Sequence, residues 1–185
     1  AASSMQYMRM YTAQRVDGAS SERFDLPARA SASWADTSPS SFTGTYSGTS
    51  FENYAPSATC FYMARELYET FQGTVPIGFL SSARGGAAIH RFMDASGNSD
   101  TTCGGVANTP YAAPWTTVKT REQWNGMLAP IMNMKFKAMT WYQGEGDSDN
   151  PDPYYKCAQP AFVSLVRQRM GWDIPFYFSE LTGYE

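Results

Sequence analysis

Histidine and cysteine are scarce in this 185-residue sequence, and it contains no long apolar segment and no run of basic residues. One histidine and three cysteines without metal-ligand spacing argue against a zinc cluster. The longest apolar stretches, such as residues 75–80, are far shorter than the roughly 20 residues of a membrane-spanning helix. A net charge of -3 without clustered Lys or Arg argues against nucleic acid and against an acidic lipid surface as partners.

The rest of the composition is typical of a globular protein, with 43% hydrophobic, 15% aromatic and 17% charged residues. A chain of this size buries about 70% of its unfolded surface, so it can form a core without disulfides or a structural metal. We therefore expect residues 1–185 to belong to a single domain.

The three cysteines lie in different surroundings. Cys60 is part of an apolar helical pattern, so we expect it to be a small buried hydrophobic residue. Cys103 and Cys157 lie near Gly-rich and Pro-rich segments, where a disulfide fits as well as two thiols. Sequence alone does not determine which of the two states is present.

Helices are predicted mainly after residue 56. The residues before it are rich in Ser, Ala, Thr and Gly and are interpreted as loops and edge structure, with a short strand at 28–34. Ser57 can cap an apolar helix that ends at Gly73. Three further helical segments are predicted: residues 87–93, residues 123–132 with an interruption at Pro130, and a helix from Asp152 or Pro153 to Gly171 with a kink or break at Pro160.

Three apolar segments of strand length alternate with these helices, at residues 75–80, 135–141 and 174–181. The first is expected to be buried on both faces, as parallel strands are. The alternation predicts an α/β fold with a parallel sheet and helices on both of its faces. Ligands of such folds bind beyond the carboxyl ends of the strands, which selects the loops after Leu80 and after Trp141.

The loop after Leu80 reads SSARGG, at residues 81–86, and places consecutive glycines between a strand and a predicted helix. Backbone N–H groups there would lie at the positive end of the helix dipole, which suits a developing oxyanion. A tight turn that needs glycine for close packing is the alternative.

The loop after Trp141 contains Gln143 and Glu145. Gln143 can donate two hydrogen bonds from a strand end, and Glu145 can orient it or a neighbouring loop. A structural turn is the alternative here as well. No calcium site is expected, because the nearby acidic residues lack the glycine and the terminal glutamate of an EF-hand loop: Asp147, Asp149 and Asp152.

Together these segments resemble the sialate O-acetylesterase family and the related carbohydrate acetylesterases of the SGNH-hydrolase type. The most specific features are WYQGE at residues 141–145, YKCAQP at 155–160, and PIGFLSSARGGAAIHRF at 76–92, which is similar to the double-glycine segment of the family. AASSM at 1–5 is similar to the nucleophile segment, which usually reads GQSNM. The resemblance implies the three-layer sandwich of SGNH hydrolases, built on a parallel sheet.

The resemblance also implies a serine esterase that removes O-acetyl groups from sialic acids or other acetylated carbohydrates. Ser3 would be the nucleophile, and Gly85 and Gln143 would contribute to the oxyanion hole. Glu145 would contact these site residues without contacting the substrate. Such a reaction passes through an acetyl-enzyme and needs no metal or other cofactor. A sugar-stacking surface can come from the aromatic residues near this loop, Trp141, Tyr142 and Tyr154.

The sequence departs from the family pattern around this site. The family takes its catalytic histidine from a segment near the C-terminal end of the hydrolase domain, and these 185 residues contain no such segment. His90 is not that base by position and is expected to be a packing or partly exposed histidine. Four other positions also carry residues that are unusual for the family: Ala1, Ala2, Ser4 and Arg84.

The nucleophile of this fold follows a central strand, whereas only two residues precede Ser3 here. We therefore expect the first strand and the His-bearing segment to come from residues outside these 185, in a missing segment or a second chain. The alternative function is that of an inactive relative that acts as a binding or structural component of an assembly. The sequence does not determine the compartment, although it weakly favours an extracytoplasmic one.

Overall fold

The computed structural model describes residues 5–13, 34–37, 57–94, 103, 121, 123–148 and 154–182. The chain comprises two compact units, one formed by Ala1–Arg15 with Pro27–Ala83 and the other by Val16–Leu26 with Arg84–Glu185. Among the described residues, no helix combines the length and the apolar character that a bilayer crossing requires.

The described part of the first unit is a small sheet with one helix. It contains the strands β1 (Met8–Thr12), β2 (Ala35–Asp36) and β3 (Ile77–Ser81) and the helix α1 (Ala58–Thr70). β1 lies in the middle of the sheet, parallel to β3 and antiparallel to β2. The buried side chains at its core are Met8, Met10, Ala64 and Phe79.

Local signals set both ends of α1. The backbone N–H of Cys60 donates to the Ser57 hydroxyl at 3.4 Å, which satisfies one of the N–H groups that a helix leaves open at its start. After the last turn, Gly73 adopts a left-handed φ of 66°, and its N–H donates to the carbonyl of Tyr68. The predicted helix from Ser57 to Gly73 is confirmed.

Three expectations for this unit are wrong. Residues 8–12 form a strand rather than a loop: their backbone pairs with β3, and Met8 and Met10 pack in the core with Ala64 and Phe79 while Arg9 stays exposed. β3 is not buried on both faces, since Gly78 is exposed and, among the described strands, only β1 pairs with it. Cys60 is half-buried rather than fully buried. Of the strand predicted at 28–34, residues 28–33 lie outside the described residues.

The second unit is built around the parallel strands β4 (Met139–Trp141) and β5 (Phe176–Phe178), with the helix α2 (Tyr154–Met170) between them in sequence. The ring of Trp141 packs against Phe162 of α2, with 4.3 Å between centroids. Parallel pairing in both units agrees with the predicted α/β class, although the described strands form two small sheets.

The helices predicted for this unit are shorter or more regular than expected. Residues 87–93 form only a 3₁₀ turn, at Ile89–Phe92, and residues 123–132 form a π turn at Trp124–Leu128 followed by a 3₁₀ turn at Ala129–Ile131. Pro130 has no N–H for a regular helical ladder, so the predicted interruption is confirmed. α2, by contrast, runs through Pro160 without a break.

Two cross-links hold α2 in place. Cys157 forms a disulfide with Cys103, with 5.3 Å between their Cα atoms, which settles the state that the sequence left open. Arg169 donates from its Nε to the buried carboxylate of Asp94 at 3.1 Å, and its guanidinium lies 5.6 Å from the ring centroid of Trp124. The helix that supports the candidate site is therefore fixed near both of its ends.

Candidate active site

The double-glycine turn at Gly85 and Gly86 belongs to the second unit, near the start of its longer segment, Arg84–Glu185. Gly86 adopts a left-handed φ of 70°, and a Cβ atom added at Gly85 would meet nothing within 4 Å. Gly85 is exposed, so a ligand can approach its backbone. The helix dipole expected behind these glycines is not present, because a single 3₁₀ turn aligns too few peptide units to produce one.

Gln143, in the loop after β4, contacts the segment that follows the double glycine. Its Nε2 donates to the carbonyl oxygen of Ala87 at 3.1 Å and to Oδ2 of Asp147 at 2.6 Å. Both partners are acceptors, so the amide group must present its nitrogen to them. The two loops that the sequence selected therefore meet, and both amide hydrogens of Gln143 have partners.

The other polar atom of this side chain has a different environment. Oε1 of Gln143 is buried and has no hydrogen-bond partner among the described residues. An amide oxygen accepts up to two hydrogen bonds, and a buried acceptor without a donor costs free energy. This arrangement of Gln143 therefore leaves an acceptor available to a donor group outside the described part of the chain.

Asp147 is the residue at this site that sequence reasoning missed. Its carboxylate is buried, with 4% of the residue exposed, and Oδ2 accepts from both Gln143 and the backbone N–H of Ile89, the latter at 2.8 Å. The residue Glu145, which could orient Gln143 or a neighbouring loop, is exposed, and the carboxylate that accepts from Gln143 Nε2 is that of Asp147. The only signal in the sequence is an acidic residue four positions after Gln143.

Close backbone packing holds the two loops together. A Cβ atom added at Gly146 would lie 3.0 Å from the carbonyl carbon of Ala87 and 3.2 Å from the backbone nitrogen of Ala88. Any side chain at this position would push the loops apart, because backbone atoms cannot move aside as the end of a flexible side chain can. Glycine at 146 is thus what allows Asp147 to reach Ile89.

Helix α2 contacts the loop after β4 through Tyr155. The Tyr155 hydroxyl donates to the main-chain carbonyl of Gln143 at 2.8 Å and accepts from Nε1 of Trp141 at 3.3 Å. Burial raises the pKa of Tyr155, and the nearby carboxylates of Asp147 and Glu145 raise it further against the lowering effect of the Trp141 hydrogen bond. The hydroxyl therefore stays protonated and remains a donor at neutral pH.

The predicted sugar-stacking surface is smaller than expected. Trp141 and Tyr154 are buried, with 7% and 8% of their surface exposed, so neither can present a ring face to a sugar. Tyr142 is 61% exposed and is the member of the three that remains accessible. Trp141 instead packs against the rings of Phe92 and Phe162.

The predicted nucleophile and part of the acidic segment considered for calcium lie outside the described residues. Ser3, the predicted nucleophile, lies outside the described residues. Among the residues that are described, no three His, Cys, Asp or Glu side chains converge as metal ligands would. Asp149 and Asp152, considered above for calcium, also lie outside the described residues.

Residues 36–185 match the family of carbohydrate esterases described as sialic acid-specific acetylesterases. The chain belongs to this family. It is 36% identical over 114 residues to the sialate O-acetylesterases of Homo sapiens and Pongo abelii, and 30% identical over 162 residues to that of Mus musculus. These alignments cover 60% and 69% of this chain but only 21% and 30% of the relatives. The chain thus spans about a fifth to a third of the length of the curated acetylesterases that it matches.

A solved structure shows the same fold. The crystal structure of a carbohydrate acetylesterase from Xanthomonas citri superposes with a TM-score of 0.67 at 21% sequence identity, covering 96% of this chain and 34% of that one. At this level of identity the comparison establishes the shared fold of the acetylesterase family.

In this acetylesterase-family chain, the single histidine is not arranged as a base. His90 is buried with 6% of its surface exposed, and neither ring nitrogen has a hydrogen-bond partner among the described residues. Burial, together with the nearby charge of Arg91, lowers the pKa of His90 to about 4. A neutral, enclosed ring of this kind is a packing residue, as one of the two sequence-based interpretations had it.

Proposed function

We propose that this chain carries catalytic residues of a serine esterase that removes acetyl groups from O-acetylated carbohydrates, sialic acids among them. Ser3 Oγ attacks the acetyl carbonyl carbon, the sugar hydroxyl leaves, and water then releases acetate from the acetyl-enzyme. The observation that carries the proposal is the contact between Gln143 and Ala87, which joins the two sequence segments that resemble the family's oxyanion-binding parts.

The oxyanion hole is proposed to consist of the backbone N–H of Gly85 and the side-chain amide of Gln143. The open space around Gly85 leaves room for an acetyl group. Because the amide hydrogens of Gln143 already serve Ala87 and Asp147, an oxyanion has to share one of them or displace an acceptor. A donor of this kind typically lowers the barrier by about 2.7–4 kcal/mol. Glu145, exposed beside the pair, is proposed as a supporting residue.

The general base is proposed to be a histidine outside these 185 residues. His90 is the single histidine of the sequence, and its burial and low pKa make it a poor proton acceptor at neutral pH. We also propose that the complete fold is the three-layer sandwich of SGNH hydrolases, with the first strand supplied by a further segment or by a second chain. The similarity to the Xanthomonas citri enzyme supports this architecture.

A second candidate function is that of an inactive relative that binds acetylated carbohydrate without cleaving it. The observation that favours it is the engagement of both Gln143 amide hydrogens by protein acceptors, which leaves neither hydrogen free for an oxyanion.

The test compares the protein expressed from its full coding sequence with two serine variants, Ser3→Ala and the neighbouring control Ser4→Ala. We expect Ser3→Ala to lower kcat for p-nitrophenyl acetate and for O-acetylated sialic acid about 10⁴-fold or more, because one member of the triad is lost. Ser4→Ala is expected to keep its activity. Equal rates for wild type and Ser3→Ala would remove Ser3 from the mechanism.

The same preparations separate the two candidate functions. A folded wild-type protein that binds O-acetylated sugars in calorimetry but hydrolyses none of them would support the binding role and refute the esterase. Labelling of Ser3 by a fluorophosphonate, detected as a mass increase on its peptide, would support the esterase.

A further inference from the structure

One carboxylate oxygen at this site serves two donors from different parts of the chain. Oδ2 of Asp147 accepts from Nε2 of Gln143 at 2.6 Å and from the backbone N–H of Ile89 at 2.8 Å. Ile89 lies 58 residues before Asp147 and begins the 3₁₀ turn that follows the double glycine. A single atom therefore links Gln143 to the segment that follows Gly85.

We infer that Asp147 is a positioning residue for the acetylesterase reaction, acting through Gln143 and through the segment after Gly85. This inference rests on the proposed function. Its geometric basis is that the Gln143 side chain has free rotation about three bonds unless both amide hydrogens are held. Asp147 holds one hydrogen and Ala87 the other, and the same carboxylate fixes the segment that contains Ala87.

The geometry also says which property of Asp147 matters. Both hydrogen bonds end on the same oxygen atom, so an amide oxygen placed there can accept both in the same geometry, with weaker bonds than a carboxylate makes. The negative charge is not needed for positioning, and next to a developing oxyanion it is unfavourable. The structure therefore assigns the role to an acceptor oxygen at this point rather than to a charge.

Three variants of the full-length protein test the assignment: Asp147→Ala, Asp147→Asn and the control Asp173→Ala. Asp173 belongs to the same unit, but it is an exposed partner of Arg167. We expect Asp147→Ala to lower kcat about 10²-fold with little change in KM, as a misplaced catalytic group does. Asp147→Asn should keep kcat within about threefold of wild type, because the acceptor is retained. Asp173→Ala should match wild type.

Amide hydrogen exchange at Ile89 gives a readout that does not depend on catalysis. Exchange should become about tenfold faster or more in Asp147→Ala, which loses the acceptor, and stay slow in Asp147→Asn and in the control. If the protein proves to be no esterase, this measurement still decides whether Asp147 fixes the loop, so the two failures are distinguishable.

Two results would overturn the assignment. The first is wild-type kcat in Asp147→Ala with unchanged exchange at Ile89. The second is an equal loss of kcat in Asp147→Asn and Asp147→Ala, which would mean that the charge rather than the acceptor is required. A loss of kcat in Asp147→Ala that Asp147→Asn restores supports it, provided that amides far from Ile89 keep their exchange rates, since general unfolding would speed the exchange of those amides as well.

Discussion

The hydroxyl of Tyr155 donates a hydrogen bond to the main-chain carbonyl of Gln143 over 2.8 Å. Tyr155 lies in the first turn of α2, twelve residues after Gln143, and the same hydroxyl accepts from the indole of Trp141. The helix thus binds the backbone of the loop, while the side chain of Gln143 contacts the segment after the double glycine. The stability of α2 and the geometry of the candidate site are therefore connected.

Replacing Tyr155 by Phe should lower the free energy of unfolding by about 1 to 3 kcal/mol. The change leaves the Gln143 carbonyl without its donor and the Trp141 indole without its acceptor, both in a half-buried environment. Urea unfolding measures the loss. Tyr177→Phe is the matched control, because Tyr177 is 56% exposed, and it should change stability by less than about 0.5 kcal/mol. Equal losses for the two variants would contradict this account of Tyr155.

Adding a methyl group at Gly146 should destabilise the protein by about 1 to 3 kcal/mol, because the new Cβ would lie 3.0 Å from the backbone of Ala87. The contact between the two loops should open, which exchange at the Ile89 amide would also report. Gly85→Ala is the control, since its Cβ meets nothing within 4 Å. A lower Tm for Gly85→Ala than for Gly146→Ala would show that the close approach of Gly146 to the backbone of Ala87 is unimportant.

Stability should fall on acidification because of His90. The pKa of His90 is about 4 in the folded protein and about 6.5 in an unfolded chain, so the unfolded state binds more protons between these values. The contribution of neutral His90 to the free energy of unfolding is fully present above pH 6.5 and is lost as the pH falls to about 4. Its size is about 3 kcal/mol, at roughly 1.4 kcal/mol per pH unit.

The measurement for His90 is urea unfolding of wild type and His90→Leu at several pH values between 4 and 7.5. Carboxylates contribute to the pH dependence of both proteins, so the difference between the two curves isolates the histidine. As the pH falls, the free energy of unfolding of wild type should decrease relative to that of His90→Leu. Parallel curves would mean that His90 takes up its proton in the folded state without cost.

Reduction of the Cys103–Cys157 disulfide should destabilise the protein by about 2 to 4 kcal/mol, because the bridge closes a long loop and limits the unfolded ensemble. The two cysteines are 54 residues apart, which places the loop toward the upper part of that range. Thermal unfolding with and without a phosphine reductant should show a lower Tm for reduced wild type. The variant with both cysteines changed to Ser should have this lower Tm under both conditions. An unchanged wild-type Tm would contradict the prediction.

The features that sequence predicted well are those set by neighbouring residues. Ser57 caps α1 through the N–H of a residue three positions later, and Gly73 and Gly171 end the two helices in left-handed conformations. The failures concern burial and pairing. Residues 8–12 have no strong strand pattern, and they form a central strand because β3, some 69 residues away in register, pairs with them.

The sequence by itself determined both ends of α1, the C-terminal end of α2, the α/β class and the family, because caps, glycine stops and motifs such as WYQGE depend on residues close together in the chain. Tertiary structure alone decided that Asp147 rather than Glu145 contacts Gln143, and that Cys103 pairs with Cys157. These outcomes depend on contacts between residues more than 50 positions apart, such as Asp147 with Ile89. The positions of such residues are fixed only when the backbone packs, so no local pattern records them.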